Sequence, residues 1–280
     1  VIPGAAAPAR YRPGVSNPLS EASTWNLVAP GYAELSVEHF ERFATDALGL
    51  AEVKSSDRVV DVAAGPGSLS LLACDTAASV NALDYSPAML DEFRRRAAAK
   101  GVSNVDVHQG DGQALPFDDD SFDAGFSMFG LMFFPDRAAG FRELARVLRP
   151  GGRAVVASWH PMDEIQEFNA LFEALAAELP SMKDEGEPPP LSTPEAIRAE
   201  MGAAGFQVEV HERTHGLASP TTAEYWTLLR RAFAPIVLLE NSMGDAFAPV
   251  AERIGHRLHE SLGPGPISVS MTAYLALGRL

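Results

Sequence analysis

Asp61 and Asp84 each close a short apolar run, and between them lies a glycine turn, Gly65-Pro66-Gly67. Val59, Val60 and Val62 are β-branched and suit a buried parallel strand that delivers Asp61 into that turn. Gly65 and Gly67 let the backbone turn tightly and come close to a ligand with no Cβ in the way. A second strand is predicted over Ser79 to Leu83, with Asp84 at its carboxyl end and Pro87 at the first position of a helix. A carboxylate in that place can grip both hydroxyls of a ribose. The pattern therefore reads as a nucleoside-binding site.

What the loop lacks narrows the nucleoside. A dinucleotide fingerprint reads G-x-G-x-x-G, whereas this chain has Gly65-Pro66-Gly67-Ser68-Leu69-Ser70, with no third glycine and with a proline between the first two. Pro66 has no N–H, and a pyrophosphate needs several convergent backbone donors. The loop suits a ligand without phosphates. S-adenosylmethionine is such a ligand, with its amino acid end on the glycine loop, its ribose on Asp84 and its sulfonium in an acidic pocket.

A third strand is predicted from Val105 to His108, followed by GDGQALPFDDDSFDAGFSMFG (110–130) and RELARVLRPGGRAVVASW (142–159). With these segments in order from about Asp57 to Trp159, the sequence resembles the class I S-adenosylmethionine-dependent methyltransferases, in particular the small-molecule group with the ubiquinone/menaquinone C-methyltransferases. The resemblance implies that Asp61, Ala63, Gly65 and Gly67 line the methionine end of the cofactor and that Asp84 takes the ribose. It implies Tyr85 and Met89 on either side of the adenine, Asp111 as acceptor for its exocyclic amine, Gly112 and Gln113 along the ring, and Ser127 and Met128 beside the methionine amine. The family usually has glycine where Ala63 stands, so a methyl group here takes room from the cofactor.

The elements that must hold these residues form an α/β fold: a Rossmann-like, doubly wound sheet of seven mostly parallel strands with an antiparallel last strand, plus a helical insertion. In 280 residues with 46% hydrophobic content there is enough for one sizeable core, read as a single methyltransferase domain over 21–280 behind a Pro/Gly/Ala-rich tail over 1–20. Glu21 to Leu50 has a helical pattern. It contains Trp25 and Tyr32, which either fold over the cofactor, as the resemblance implies, or simply pack on the sheet. Arg137 to Leu148 is an amphipathic helix ended by Pro150-Gly151-Gly152, and further helices are predicted over Ile165 to Leu179 and Pro194 to Ala204, around a proline-rich loop. The last two strands are predicted over Phe206 to Val210 and Ser268 to Leu277. The insertion between them, 216–266, carries Tyr225, Trp226, Leu229 and Phe233 at helical spacing. That stripe glues the insertion down, closes over the substrate as a lid, or joins two copies in a homodimer.

A net charge of −15, from 22 basic and 37 acidic residues, argues against nucleic acid as the methyl acceptor, because phosphate binding needs a basic surface. A small organic acceptor is expected. A lone cysteine, Cys74, gives no disulfide framework, and no apolar run approaches the roughly 18 residues that span a membrane, so the expected location is the cytoplasm. His211 and His215 lie on or just after the sixth strand, His211 on its polar side, and Glu252, His256 and His259 read as a solvated helix face opposite Val250, Ile254, Leu258 and Leu262. Asp118-Asp119-Asp120 reads as a turn. No metal site is expected.

Methyl transfer from a sulfonium is an in-line displacement with an activated donor, so the first task is to place a nucleophile about 3 Å from the methyl carbon. Where the acceptor must also lose a proton, a base is needed at the carboxyl edge of the sheet. His160 directly follows the predicted fifth strand, Arg153 to Trp159, and is the candidate, as base, substrate contact or cap. Trp159 and Phe129 are candidates to line the acceptor pocket. Two alternatives compete: a non-catalytic S-adenosylmethionine-binding protein, and a nicotinamide-dependent oxidoreductase, which would need phosphate donors and a Tyr-x-x-x-Lys pair that the chain lacks.

Overall fold

A computed structural model of the chain describes residues 17–180 and 189–280; most of the predicted tail and the middle of the proline-rich loop lie outside them. Helices α1 (Ala22–Leu35) and α2 (Val37–Leu50) precede β1 (Arg58–Val62), α3 (Ser70–Ala73), β2 (Ser79–Asp84), α4 (Pro87–Lys100), β3 (Val105–Gln109) and β4 (Phe122–Met128). Then follow α5 (Arg137–Val147), β5 (Leu148–Trp159), α6 (Gln166–Glu178), α7 (Pro194–Ala203), β6 (Gln207–Ser219), α8 (Thr222–Ala232), α9 (Ala234–Met243), α10 (Phe247–Leu262) and β7 (Ile267–Arg279). The strands form one seven-stranded sheet in the order β3-β2-β1-β4-β5-β7-β6. The first five are parallel, and β7 runs antiparallel between β5 and β6. The chain reverses its direction of winding between β1 and β4, which opens a crevice at their carboxyl ends, where open α/β sheets hold ligands.

Alternation along the strands fills both faces. Val60, Val62, Ala154 and Val156 pack with Phe141 and Leu144 of α5 and Ile197 and Met201 of α7. Val59, Val80, Phe126, Val155 and Leu275 pack with Phe43, Ala44 and Ala47 of α2 on the opposite face. A third cluster joins α6, α8, α9 and α10 to Val269 and Met271 at the outer end of β7, and forms a helical cap beyond the sheet edge.

Some boundaries differ from those the sequence predicts. The sixth strand runs on to Ser219, and residues 216–219, predicted as part of the insertion, pair with Ile267–Ser270 of β7. The alternation was masked because half-buried positions of the strand, His211, Arg213 and His215, are themselves polar and Gly216 lies within it. The helical pattern over 21–50 resolves into two helices, which break at Ser36. Helix α5 ends at Val147, ahead of the stop predicted at Pro150-Gly151-Gly152, which lies inside β5, whose pairing with β4 shifts register between Phe122 and Ala124.

The cap reaches the sheet's ligand edge through α1. At Gly31 the backbones of α1 and α8 cross so closely that a Cβ would run into the carbonyl of Arg231. The Arg231 guanidinium pairs with Glu34 one turn further along α1. Gly31→Ala should gain up to about 1 kcal/mol in helix propensity, yet the crossing predicts a net loss of about 1–3 kcal/mol. Urea unfolding would read this as a lower midpoint at an unchanged slope; a higher midpoint would show that the two helices do not meet there.

Candidate functional site

A cavity of about 460 Å³ lies at the carboxyl ends of β1, β2 and β4. Strand β1 delivers Asp61 into it at 1% exposure. Its Oδ2 accepts the Ser70 hydroxyl at 2.6 Å, while its Oδ1 is buried with no hydrogen-bond partner among the described residues. Burial, with the neighbouring Asp84 charge as a lesser contribution, pushes the Asp61 carboxyl up to about 7, against the pull of Ser70. Asp84 is buried too, but it is better served. Its Oδ2 accepts the Gly65 N–H and its Oδ1 the Ser86 N–H, each at 2.8 Å. Burial still raises it to about 6, and the backbone donors limit the rise. The donor from Gly65 is available because that residue turns at φ 56°, a conformation glycine adopts without strain.

Ala63 also has a positive φ, 60°, where a Cβ costs about 1–2 kcal/mol. Its methyl is accommodated by Gly130, where any Cβ would collide with it. Phe129, φ 61°, is held in the same strained region by its neighbours. Its ring stacks on Trp159 at 4.0 Å and meets Phe40 and Phe43 edge-on at 5.3 and 5.5 Å.

Helix α1 roofs the cavity. Tyr32 stacks on Phe40 at 5.0 Å, and Trp25 packs on Phe133 at 5.4 Å while its indole N–H donates to Leu19 at 2.8 Å. Burial and the Asp84 charge push the Tyr32 hydroxyl up, so it stays protonated. Asn26 ties this roof to the floor by accepting the Ser86 hydroxyl at 2.8 Å. Ser86 in turn caps α4 by accepting the Met89 N–H at 3.2 Å. At the outer end, Asp111 Oδ1 accepts the Gln113 N–H at 2.8 Å, and the Gln113 side-chain amide also donates to it at 3.0 Å.

The cavity brings together most of the residues expected from the sequence: Asp61, Ala63 and Gly65; Asp84, Tyr85 and Met89; Asp111, Gly112 and Gln113; Met128 and Phe129; Trp25 and Tyr32. Six others lie outside its lining. Gly67 sits over the Phe93 ring, which a Cβ there would strike. Ser127 is buried below, its hydroxyl oxygen accepting the Leu131 N–H at 3.2 Å. Trp159 stands behind Phe129. His160, one residue further, turns to the other side of the sheet, onto the Tyr274 ring at 5.3 Å and toward Glu164 at 3.5 Å. Tyr225 and Trp226 lie in the core of the cap, the Trp226 indole N–H donating to Ala251 at 3.1 Å. The sequence reading missed Phe40 and Ala44 on α2 and Phe133 and Phe134 after β4, which also line the cavity. The spacing of four between Phe40 and Ala44 was the available signal. It also missed His39, buried with both ring nitrogens unpartnered and held neutral near 4, chiefly by burial.

Residues 59–152 match a family model described as a methyltransferase domain. A demethylmenaquinone methyltransferase of Thermus thermophilus is 34% identical over 194 residues, 64% of this chain and 87% of that protein. The chain belongs to the class I S-adenosylmethionine-dependent methyltransferases. An uncharacterized protein of Mycobacterium tuberculosis is 41% identical over 128 residues, and this match spans only 46% of either chain. Among solved structures, the YcgJ protein of Bacillus subtilis superposes with a TM-score of 0.57 at 24% identity, over 84% of this chain and 98% of its own, a likeness of fold.

The residues present fit the cofactor of this methyltransferase family. Asp61 offers a buried carboxylate oxygen that lacks a donor, and Asp84 keeps lone pairs beyond those its two backbone donors use. Among the described residues no Lys, Arg or His lines the cavity, as suits a ligand without phosphates. The raised carboxyl of Asp61 has a cost that depends on pH. Folded Asp61 titrates near 7 and an unfolded Asp near 3.9, so its contribution to stability is complete below about pH 4 and is lost as pH rises to 7. Asp61→Asn does not titrate. The melting temperature of the variant relative to wild type should therefore rise between pH 5 and pH 8, both proteins being measured without cofactor; a difference independent of pH would show that the carboxyl is not shifted.

Proposed function

We propose that this chain uses S-adenosylmethionine to methylate a small, ring-containing acceptor without anionic groups. The observation that carries the reading is the pair of buried carboxylates, Asp61 and Asp84, in a cavity that no cationic side chain lines among the described residues. Such a site favours a ligand that brings hydroxyls and positive charge and disfavours phosphates. Asp84 holds the ribose diol, Asp111 the adenine amine between Tyr85 and Met89, and Asp61 with the turn at Ala63 and Gly65 the methionine end. Bound there, the cofactor supplies a methyl carbon made electrophilic by its sulfonium.

The remaining work falls to the protein's own side chains. Phe40, Phe129 and Phe133 give the acceptor end an apolar, aromatic wall, which orients a flat ring and excludes water. The name of the Thermus relative points to a quinone-type ring, and the wall agrees with one. Catalysis on this reading is placement of the nucleophile. On this reading His160 does not serve as its base, since its ring packs on Tyr274 at 5.3 Å and it is not among the residues that line the cavity. On the same reading Tyr225 and Trp226, packed in the core of the cap, do not reach the acceptor, and the segment 216–266 acts by holding α1, and through it Trp25 and Tyr32, over the cavity.

Calorimetric titration with S-adenosylhomocysteine tests the cofactor. Wild type should bind it, and Asp84→Ala should weaken binding about 100-fold, the worth of two charge-assisted hydrogen bonds to the diol. Tight binding of NADH with none of S-adenosylhomocysteine at millimolar concentration would overturn the reading in favour of an oxidoreductase. His160→Gln should leave turnover within about threefold of wild type; a loss of about 100-fold at unchanged cofactor affinity would restore it as the base.

A further inference from the structure

Asp61 and Asp84 share one cavity, but they are not equivalent. Among the described residues Asp84 has a backbone N–H on each oxygen, and Asp61 is held by Ser70 alone, through its hydroxyl and a weaker backbone contact, with Oδ1 left bare at 1% exposure. A buried carboxylate with a bare oxygen cannot stay charged at little cost; it needs a cation or a proton. Among the described residues the groups around it offer no cation. From β2 it faces the negative Asp84, from α3 the neutral Ser70 hydroxyl, and the roof over the cavity carries the Tyr32 phenol. The guanidinium that touches the glycine turn, Arg96 of α4, is spent on the Pro66 carbonyl at 2.5 Å and Glu41 at 2.7 Å and does not line the cavity. Asp111 and Glu21 add only negative charge at the far end of the lining.

We propose that Asp61 carries a proton in the cofactor-free protein and gives it up when the ammonium group of the cofactor's amino acid end arrives, so that cofactor binding releases a proton. The step balances: the carboxyl O–H breaks, the proton leaves to buffer, and the carboxylate pairs with the ligand's ammonium. This rests on the reading of the cavity as an S-adenosylmethionine site. It makes affinity depend on pH in a definite direction. Below the titration of Asp61, near 7, each unit of acidification should cost up to about tenfold in affinity, and above it the affinity should level off. Asp84 titrates lower, near 6, because its donors stabilise the charge, and serves the ribose whether or not an ammonium is present.

Two ligands separate the groups. S-adenosylhomocysteine carries the ammonium, and 5′-methylthioadenosine keeps the adenine, ribose and thioether without it. Calorimetry at pH 7 in buffers of different ionisation enthalpy should show release of about half a proton per S-adenosylhomocysteine bound and much less with 5′-methylthioadenosine. Asp61→Asn should abolish the difference. Ser70→Ala removes the hydroxyl that favours the charged form, so it should move the release window to higher pH, and it keeps the test open if Asp61→Asn does not fold. Equal release with both ligands, release that survives in Asp61→Asn, or a window unmoved in Ser70→Ala would each overturn the proposal. Failure of S-adenosylhomocysteine to bind at all would instead overturn the cofactor reading on which it rests.

Discussion

Burying an ionisable carboxylate demands donors, and meeting that demand at Asp84 organises the carboxyl edge of the sheet. Its two oxygens reach in opposite directions, one to the N–H of Gly65 after β1 and the other to the N–H of Ser86 at the start of α4. A single side chain thereby fixes the glycine turn relative to β2 and sets where α4 begins. Ser86 passes the constraint on, since it caps α4 and donates its hydroxyl to Asn26 in α1. The roof is thus tied to the floor through polar contacts that all trace back to one carboxylate. If Asp84 lost its geometry, the turn, the helix start and the roof would lose their common reference.

The other half of the cavity is organised by aromatic packing. Phe129 adopts a backbone conformation that a bulky residue avoids, and it is held there by a parallel stack on Trp159 and edge contacts from Phe40 and Phe43. Rings with few rotatable bonds lose little entropy on ordering and bury large areas, so such a cluster makes a stiff wall. Charge-bearing residues at one end and rigid rings at the other give a cavity whose two halves select for different chemistry. His39 and His215 lie behind the wall, each in ring contact with Phe43, and His215 also bonds Asp46 at 2.7 Å.

The parallel strands were legible because their runs are short, β-branched and bounded by glycine or aspartate, as at Val59-Val60-Asp61-Val62. Asp61, the glycine turn and Asp84 followed from the same logic, since a motif fixes where a strand stops, whereas Tyr85, Met89, Asp111, Gly112, Gln113 and Met128 came from the family resemblance. What eluded the sequence depended on long-range packing. The outer half of β6 reads as polar loop because half-buried Arg213 and His215 are as polar as their exposed neighbours, and only pairing with β7 makes it a strand. His160 follows its strand as expected, but the pleat sends alternate side chains to opposite faces, and the face is set by register with β4 and β7. Tyr225 and Trp226 have the spacing of a helix stripe, and spacing alone does not say which partner covers the stripe. The partner proved to be α6 and α10.

The crossing of α1 and α8 at Gly31 means that the cap is not bounded by the ends of the segment inserted between β6 and β7. Its fit is specified in part by a side chain that is missing some two hundred positions earlier. In inheritance and in engineering, the exchangeable module is therefore split in two, cap helices and first helix together. A cap transplanted from a related chain without its own α1 would arrive with the wrong groove. Recombination between relatives should accordingly respect a pairing that no contiguous reading of the chain would reveal.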